Sequence, residues 1–570
     1  MNRMEISEAL EEIANILEIK GENPFRSRAY HNASRILEGL TELESLVEAG
    51  ELTQIKGIGQ GLSEEITEMV TQGKSTHLKE LRKSIPEGVL DMLRVPGLGP
   101  KKVKVLYEEL ELQNLGELEY ACKENRLLDL KGFGEKTQTN VLKGIELLKK
   151  SAGRYHFNVA WVQAHRLKKF IAKQKSVLQT EIAGSLRRHK ETIGDIDILA
   201  SLKGSSKNIM KAFREHPEVE DVLVSGDTKT SVRLKTGIQV DLRVVSQEEF
   251  PFALLYFTGS KEHNTALRQI AKDKNLKLNE YGLFKGKKSL KCKDEAAIYQ
   301  ELGLHFVPPE LRENLGEIQY AKKKKYPRLL QEKDIRGTFH AHTTWSDGSA
   351  SVLEMGKEAE RLGLEYLGLS DHSQTAFYAG GLKPKELKDQ AKEIQAANKK
   401  LKKCVLLQGT ESDILNDGSL DYTSAYLKNL EFVIASIHSG FKMEKKRMTQ
   451  RILKAIGNPF TRFVGHISGR LLLARDPFEL DYAAIFTAAA KHQVVIEINS
   501  NPHRFDLDWR YLAQAKEAGV KFSLNPDAHS PRGLSDTFLG VGLARKGGLT
   551  ADDVINTLPL KEVRQFLARE

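Results

Sequence analysis

The chain has 570 residues, of which 40% are hydrophobic and 29% are charged, so it is long enough for several folded domains and is not mostly disordered. No stretch reaches the roughly 18 uninterrupted apolar residues of a membrane-spanning helix. The net charge of +10 permits a polyanionic partner without naming one.

Two features predict an intracellular protein of the cytoplasm. The cysteines Cys122, Cys292 and Cys404 stand far apart, which excludes a disulfide framework and is typical of a reducing compartment. The first residues carry acids and form no apolar signal core, so we expect no secretion.

Three Gly-apolar-Gly turns recur in residues 1–150, and each precedes a helical pattern. Such a turn aims backbone N–H groups outward beside a helix N-terminus, where they can bind a phosphate without reading bases. A plain helix-to-helix turn is the alternative for any single one, but three in tandem favour binding to the backbone of duplex DNA. The turns resemble helix-hairpin-helix modules. The candidate DNA-binding residues are Gly57, Gly59, Gly97, Gly99, Lys101, Lys102, Gly132 and Gly134.

From about Tyr155, short apolar runs alternate with helical patterns, which predicts an α+β domain. Asp195 and Asp197 stand two residues apart on a predicted strand, so their carboxylates project from one face. Neighbouring like charges are costly without cations, so this pair, with Asp241 on another strand, is a candidate Mg²⁺ site. Divalent ions there would activate a hydroxyl and stabilise a leaving pyrophosphate. If Asp195 and Asp197 are considered alone, the alternative interpretation is that they are ordinary solvated residues of a strand edge.

Upstream of these aspartates, Gly184 and Ser185 form a turn with a hydroxyl and free amides for a phosphate, and Arg188 adds a clamping charge. Together these residues resemble the nucleotidyltransferase signature. The stretch Tyr256-Phe257-Thr258-Gly259-Ser260 narrows the resemblance to family X DNA polymerases, over roughly residues 1–315. The resemblance implies that Tyr256, Phe257 and Gly259 contact the sugar, that Asn264 contacts the incoming base, and that Arg268 faces the template minor groove.

One position departs from that family. Members with 5′-deoxyribose-phosphate lyase activity carry a Schiff-base lysine after the first hairpin, and this register falls on Glu65. Since Glu65 has no amine, we expect weak or absent lyase activity by that route.

Beyond Asp334, apolar runs alternate with helical patterns, which indicates repeated βα units that can close into a barrel. Histidines and carboxylates recur at the ends of these runs, where ligands from distant segments converge. Mixed imidazole and carboxylate ligands suit Mn²⁺, Zn²⁺ or Fe²⁺, and nine candidates indicate two or three ions. The candidates are His340, His342, Asp347, His372, Glu411, His438, His466, Asp527 and His529.

This set resembles the polymerase and histidinol phosphatase (PHP) domain, a phosphoesterase barrel. For Asp371, next to His372, the expected role is to orient a metal ligand rather than to bind metal. Glu497 is a further candidate site residue.

These resemblances imply a multidomain chain with an all-α N-terminal region, an α+β nucleotidyltransferase palm and a distorted (β/α)7 barrel. The expected domains are two helix-hairpin-helix regions at 1–90 and 91–150, the palm at 151–248, a nascent-base-pair subdomain at 249–317, a basic linker at 318–333 and the PHP domain at 334–570.

The implied function is a gap-filling DNA-directed DNA polymerase with a metal-dependent 3′→5′ exonuclease, acting in base-excision repair. Its partners would be gapped or nicked duplex DNA and deoxynucleoside triphosphates, with Mg²⁺ or Mn²⁺ at the polymerase site, two or three Mn²⁺ or Zn²⁺ at the PHP site, no membrane and a monomeric state. Two alternatives are a small-molecule phosphatase with an inert front half and a non-enzymatic DNA-end scaffold. Both fit the sequence less well, because both metal sets look complete.

Overall fold

In a computed structural model of the protein, residues 1, 3–39, 43–149 and 153–568 are described. The chain divides into two compact units, Met1–Leu148 and Lys149–Glu570. The expected domain boundary between residues 150 and 151 lies outside the described residues. None of the described helices has the length and apolar character needed to span a bilayer.

The described part of the first unit is helical. In helix α1, Leu10, Ile13 and Leu17 recur every three or four residues and are fully buried, which is the pattern of a helix with one face in a core. The helices are α1 (Arg3–Ile19), α2 (Pro24–Gly39), α3 (Leu43–Glu48), α4 (Gln60–Gln72), α5 (Thr76–Lys83), α6 (Glu87–Asp91), α7 (Pro100–Glu109), α8 (Leu115–Lys123) and α9 (Glu135–Lys149).

The second unit begins with an α+β region. Its strands are β1 (Tyr155–His156), β2 (Val177–Ile182), β3 (Thr192–Ile193), β4 (Asp195–Leu202), β5 (Val219–Ser225), β6 (Lys229–Leu234), β7 (Gln239–Val245), β8 (Lys277–Asn279), β9 (Gly282–Lys285) and β10 (Lys288–Leu290). Its helices are α10 (Phe157–Ala172), α11 (Gly184–Arg187), α12 (Lys207–Arg214), α13 (Phe250–Thr258), α14 (Lys261–Asp273), α15 (Glu295–Glu301) and α16 (Glu317–Lys323).

Five of these strands form the palm sheet, in the order β2-β4-β7-β6-β5. Strands β4 and β7 are parallel, whereas the other neighbours in the sheet are antiparallel. Along β4, Ile196 and Ile198 are buried on one face, so the alternating aspartates lie on the other. The predicted α+β palm is confirmed.

The rest of the unit contains seven parallel strands. They are β11 (Gly337–Ala341), β12 (Tyr366–Leu369), β13 (Val405–Asp413), β14 (Phe432–Ser436), β15 (Phe463–Val464), β16 (Val495–Asn499) and β17 (Phe522–Asn525). The accompanying helices are α17 (Val352–Arg361), α18 (Leu387–Asn398), α19 (Ser424–Leu427), α20 (Lys445–Ile456), α21 (Tyr482–His492), α22 (Leu512–Glu517), α23 (Thr537–Lys546) and α24 (Leu560–Leu567).

The seven strands follow one another in chain order around a barrel. A parallel bridge between Ala341 and Ala528 brings the first strand back beside the last, and the His342 amide donates to the Ala528 carbonyl at 2.9 Å. The expected distorted barrel of seven βα units is therefore confirmed. All carboxyl ends of the strands open on one face, which is where such barrels build their sites.

The segment between the two halves is anchored at both ends. Lys322–Lys325 are exposed, as expected of a solvated run, but Leu329 and Leu330 are buried. The Leu330 amide donates to the Leu549 carbonyl at 3.0 Å, so the segment joins the barrel side before β11 begins.

Two candidate metal centres and a candidate nucleic-acid interface

The three aspartates predicted to bind metal lie together in the palm. Asp197 and Asp241 are directly paired residues of the parallel strands β4 and β7, and Asp195 precedes Asp197 by two positions. Asp195 is exposed, Asp197 is half-buried and Asp241 is buried. The carboxylates thus span the boundary between the sheet and solvent, where a small ligand can reach them.

The electrostatics of this cluster are those of a cation site. Burial raises the pKa of Asp197 to about 7, and the negative charges of Asp195 and Asp241 add to the shift. At Asp241, burial acts to raise the pKa, but hydrogen bonds outweigh it and the net shift is downward. Lys229 Nζ lies 2.6 Å from its Oδ2, and Gln239 donates to its Oδ1 at 3.0 Å. Bound divalent cations would relieve the repulsion at Asp197, so the residues fit a metal centre.

The turn before β4 packs directly onto the aspartates. Gly184 has a φ of +64°, in the left-handed region that favours glycine. A Cβ at this position would also overlap Oδ2 of Asp197, so backbone conformation and lack of space both favour glycine here. Ser185 follows it, half-buried, in the four-residue helix α11. The structure therefore brings the predicted phosphate turn against the predicted metal ligands.

Arg188 lies at the end of this turn and is already engaged. Its guanidinium donates to the Thr258 carbonyl at 2.5 Å, and its Nε lies 3.2 Å from Oε1 of Glu313. These contacts hold Arg188 beside the second predicted nucleotide segment, which contains Gly259.

That second segment lies at the C-terminus of α13. The rings of Tyr256 and Phe257 meet edge to face at 5.1 Å, and Arg243 of β7 lies 4.3 Å from the Phe257 ring centre. The Asn264 amide donates to the Tyr256 carbonyl at 2.6 Å. Arg268 is exposed one turn further along α14, and Tyr256, Asn264 and Arg268 line one small cleft. The structure thus brings Tyr256, Asn264 and Arg268 together at one cleft.

The three glycine hairpins of the first unit share one conformation. Their first glycines, Gly57, Gly97 and Gly132, have φ angles of +107°, +86° and +87°. The apolar residue between the glycines is buried in each hairpin. At the second glycines, Gly59, Gly99 and Gly134, a Cβ would meet nothing within 4 Å, so these turns are open to an approaching phosphate.

The second hairpin carries the most suitable environment for a polyanion. Gly99 is the N-cap of α7 and has no side chain to cap the first amides of that helix. Lys101 is exposed, and Lys102 donates to the Gly97 carbonyl at 3.2 Å while its ammonium lies 5.7 Å from the Phe133 ring centre. Lys102 therefore links the second hairpin to the third.

The barrel gathers all nine predicted PHP ligands at the carboxyl ends of its strands. Seven are buried, and Asp347 and His438 are half-buried. Oxygens of the Glu411 carboxylate lie 2.9–3.6 Å from ring nitrogens of five histidines, which are His340, His342, His372, His438 and His466. Glu411 is thus the centre of the cluster.

Two further carboxylates extend this cluster. Asp347 Oδ2 lies 3.6 Å from His372 and 3.4 Å from His529, and Asp527 Oδ1 lies 3.4 Å from His340 and 3.3 Å from His342. Among the described residues, the buried atoms of the cluster that lack a well-aligned hydrogen-bond partner include Nε2 of His340, both ring nitrogens of His342, Nδ1 of His466 and Oε2 of Glu411. Metal ions would complete these atoms, so the donor set fits a multinuclear centre.

Two of the ligand candidates have strained backbones. His340 has a φ of +61° and Asp527 a φ of +52°, in the left-handed region that residues other than glycine seldom adopt. Such strain persists where the surroundings demand it, and it clusters at functional sites.

The comparisons with known proteins agree with this geometry. Family models match helix-hairpin-helix domains at residues 1–75 and 89–146, the DNA polymerase beta thumb at 253–313 and the PHP domain at 338–501. The chain is 36% identical over its whole length, and over the whole of the relative, to the DNA polymerase/3′-5′ exonuclease PolX of Bacillus subtilis (strain 168). The chain belongs to the PolX family.

More distant relatives cover about half of this PolX chain or less. DNA polymerase lambda of Rattus norvegicus is 26% identical over 49% of the chain and 49% of the relative. A probable phosphatase of Thermoanaerobacter sp. (strain X514) is 27% identical over 40% of the chain and 92% of the relative. Each of these two relatives is thus similar to only part of this PolX chain.

Two acidic residues outside the nine lie beside the PHP centre. Glu497, predicted as a further site residue, bonds His340 Nδ1 at 2.6 Å and accepts the His466 amide at 3.0 Å. Asp371 accepts hydrogen bonds from Thr343, Ser346 and Gln390, all at 2.7–2.8 Å, and so shapes the loop that carries Asp347. Glu497 thus contacts two of the nine candidates directly, whereas Asp371 contacts residues that neighbour them.

Two residues of this centre were missed by the sequence reasoning. Asp413 bonds His438 Nδ1 at 2.6 Å, and Arg504 Nε lies 3.3 Å from Asp527 Oδ2. The alternation of Glu411 and Asp413 along a strand was a usable signal for the first, by the reasoning applied to Asp195 and Asp197. The arginine has no comparable motif.

Glu65, at the position where lyase-active family members carry a Schiff-base lysine, is held by hydrogen bonds. Glu65 accepts from the Tyr30 hydroxyl at 2.7 Å, and His77 Nδ1 lies 3.0 Å from its carboxylate. Lys74 and Lys79 are exposed nearby. Weak or absent lyase activity in this PolX chain stays a prediction.

Proposed function

We propose that this chain fills short gaps in DNA and trims 3′ ends with its PHP domain, in base-excision repair. The observation that carries the proposal is the presence of two separate acidic clusters in one PolX-family chain. One is the aspartate trio beside a phosphate turn, and the other is the nine-residue cluster of the barrel.

At the polymerase centre, Asp195, Asp197 and Asp241 would hold Mg²⁺ or Mn²⁺, which supplies Lewis-acid activation of the primer hydroxyl when bound. Their carboxylates stand on adjacent strands and so share one cation site. The roles proposed for the surrounding side chains follow the order of the substrate. Gly184, Ser185 and Arg188 bind the triphosphate, Tyr256, Phe257 and Gly259 contact the sugar, Asn264 contacts the base and Arg268 contacts the template.

The substrate is duplex DNA with a gap or nick, together with deoxynucleoside triphosphates. The hairpin glycines, with Lys101 and Lys102, would bind backbone phosphates through amides and charge, which positions the duplex without reading its sequence. We propose that the protein works as a monomer in the cytoplasm, where these substrates are found.

At the PHP centre, the nine ligands would hold two or three Mn²⁺ or Zn²⁺, and these ions supply an activated water for attack on a phosphodiester when bound. Glu497 fixes the ring of His340, and Asp413 fixes that of His438.

Paired active-site variants of the full chain test this division of labour. Asp195→Ala combined with Asp197→Ala should abolish nucleotide addition to a gapped primer and leave Mn²⁺-dependent degradation of 3′-labelled DNA intact. His340→Ala combined with His342→Ala should do the reverse. The far-ultraviolet circular dichroism of each variant provides the folding control. If either folded variant lost both activities, the two-centre proposal would be wrong.

A further inference from the structure

Helix α23 of the barrel reaches the phosphate turn of the palm. The ring of His189, which follows Arg188, bonds the Leu539 carbonyl of α23 through Nε2 at 3.0 Å. The same ring lies so close to Gly542 that a Cβ on this glycine would overlap it. The PHP domain is therefore packed directly against the backbone that carries Arg188.

Lys546, at the end of α23, makes the most specific contacts across this boundary. Its side chain has no solvent exposure. Its Nζ donates to the Arg188 carbonyl at 2.8 Å and to the Glu310 carbonyl at 3.1 Å, and it lies 2.6 Å from Oε1 of Glu313. A buried ammonium with three oxygen partners fixes the positions of all three.

Glu313 is shared by three cations from two domains. Arg188 Nε lies 3.2 Å from its carboxylate, Lys190 Nζ 3.1 Å and Lys546 Nζ 2.6 Å. If Glu313 had only Arg188 as a partner, the carboxylate would neutralise the guanidinium. Because two lysines share Glu313, the positive charge of Arg188 is less fully neutralised and stays available to an anion.

We infer that Lys546 of the PHP domain is a positioning residue of the polymerase centre, holding Arg188 in place and sharing its acidic partner so that Arg188 can bind the triphosphate of the incoming nucleotide. The inference rests on the role proposed above for Arg188. It assigns the PHP domain a part in nucleotide binding that is separate from its hydrolytic cluster.

The test is single-nucleotide gap filling by the full chain with Lys546→Met, which keeps the length of the side chain and removes the charge. We expect KM for the deoxynucleotide to rise about tenfold, equivalent to about 1.4 kcal/mol, while kcat changes less than about twofold. Hydrolysis of 3′-labelled DNA should keep its wild-type rate. Lys516→Met is the matched control, since Lys516 pairs with Asp553 within the barrel, and it should leave KM unchanged.

A rescue variant and a double-mutant cycle distinguish positioning from general packing. Lys546→Arg keeps the charge and should retain most of the affinity for the nucleotide. In a Glu313→Gln background, where there is no carboxylate charge to share, Lys546→Met should raise KM much less than it does alone. Additive effects in this cycle, or an equal fall in kcat and rise in KM with loss of hydrolysis, would overturn the inference.

Failure of the inference is distinguishable from failure of the proposed function. If wild-type protein adds no nucleotide, the function is wrong. If wild-type protein adds nucleotides and a folded Lys546→Met variant keeps the wild-type KM, the function stands and the inference is wrong. Should Lys546→Met not fold, Lys546→Gln retains a donor for the two carbonyls and carries the same test, with a rise in KM expected and an unchanged KM contradicting it.

Discussion

At the scale of single residues, the polymerase centre depends on a position that carries no side chain. Gly184 has a left-handed φ of +64°, and a Cβ at this position would overlap the carboxylate of Asp197. Gly184→Ala must therefore move either the phosphate turn or a metal ligand. A displacement of about 1 Å at a reacting centre is enough to lower a rate about 100-fold.

We expect Gly184→Ala to lower the rate of single-turnover nucleotide insertion by about two orders of magnitude, measured by rapid quench on gapped DNA. Gly204→Ala is the matched control, because Gly204 also has a positive φ, of +88°, but a Cβ there meets nothing within 4 Å. If both variants slowed insertion equally, backbone strain rather than contact with Asp197 would be the cause.

Several candidate site residues that lie together in the structure could be grouped from the sequence, because their spacing on strands implies shared faces. Asp195 and Asp197 are an example, since period-two alternation alone places both carboxylates together. The partners of Arg188 could not be predicted from the sequence, because Glu313 lies 125 residues away and no local pattern joins the two. Contacts made by tertiary packing have no spacing rule.

At the scale of elements, the two glycines of each hairpin have different roles, one in the backbone turn and one in access for a ligand. The first glycine has the positive φ, whereas the second, such as Gly99 with a φ of −92°, has an ordinary conformation and open space around it. A side chain at the second position would thus obstruct an approaching phosphate without straining the turn.

We expect Gly99→Val to weaken binding of gapped duplex DNA about tenfold, with the melting temperature changed by less than about 2 °C. Fluorescence anisotropy at several salt concentrations measures the effect. Lys101→Ala combined with Lys102→Ala provides the comparison, since loss of phosphate contacts made by charge should also flatten the salt dependence, by about one unit of slope per lysine. Unchanged affinity in Gly99→Val would show that this hairpin does not meet DNA.

The elements themselves were predictable to the extent that they are apolar. Six of the barrel strands, β12 to β17, coincide with the apolar runs of the sequence at residues 364–369, 405–407, 432–437, 462–464, 494–498 and 521–524. Strand β11 was not among those runs, because Gly337–Ala341 includes a ligand histidine and a buried threonine in place of an unbroken apolar stretch. Where a strand contributes chemistry, its hydrophobic signal weakens.

At the scale of the whole molecule, the palm and the barrel share a buried polar boundary. Arg470 of the barrel lies 3.4 Å from Glu191, which precedes β3, and Arg545 lies 2.7 Å from Glu310. The first pair is buried and the second is half-buried, and such pairs are costly to separate, since removing one partner leaves the other unpaired. This boundary could not be predicted from the sequence, because its paired residues lie more than 200 positions apart and bear no motif.

His189 makes this boundary sensitive to acid. Burial lowers the pKa of His189 to about 4, with Lys546 and Arg545 lowering it further and with Glu310 and the Leu539 carbonyl opposing the shift. In the unfolded chain the pKa is close to 6.5. The folded state therefore binds this proton less well, so the stability that His189 contributes is complete above about pH 6.5 and is lost as the pH falls towards 4. The difference corresponds to roughly 3 kcal/mol.

We expect His189→Gln, which keeps a donor for the Leu539 carbonyl, to lose less stability than the wild-type protein between pH 7 and pH 4. Urea unfolding with chelator present measures this, and His305→Gln, at an exposed histidine, is the control that should follow the wild-type pH dependence. Parallel curves for the wild-type protein and His189→Gln would contradict a neutral buried imidazole at this boundary.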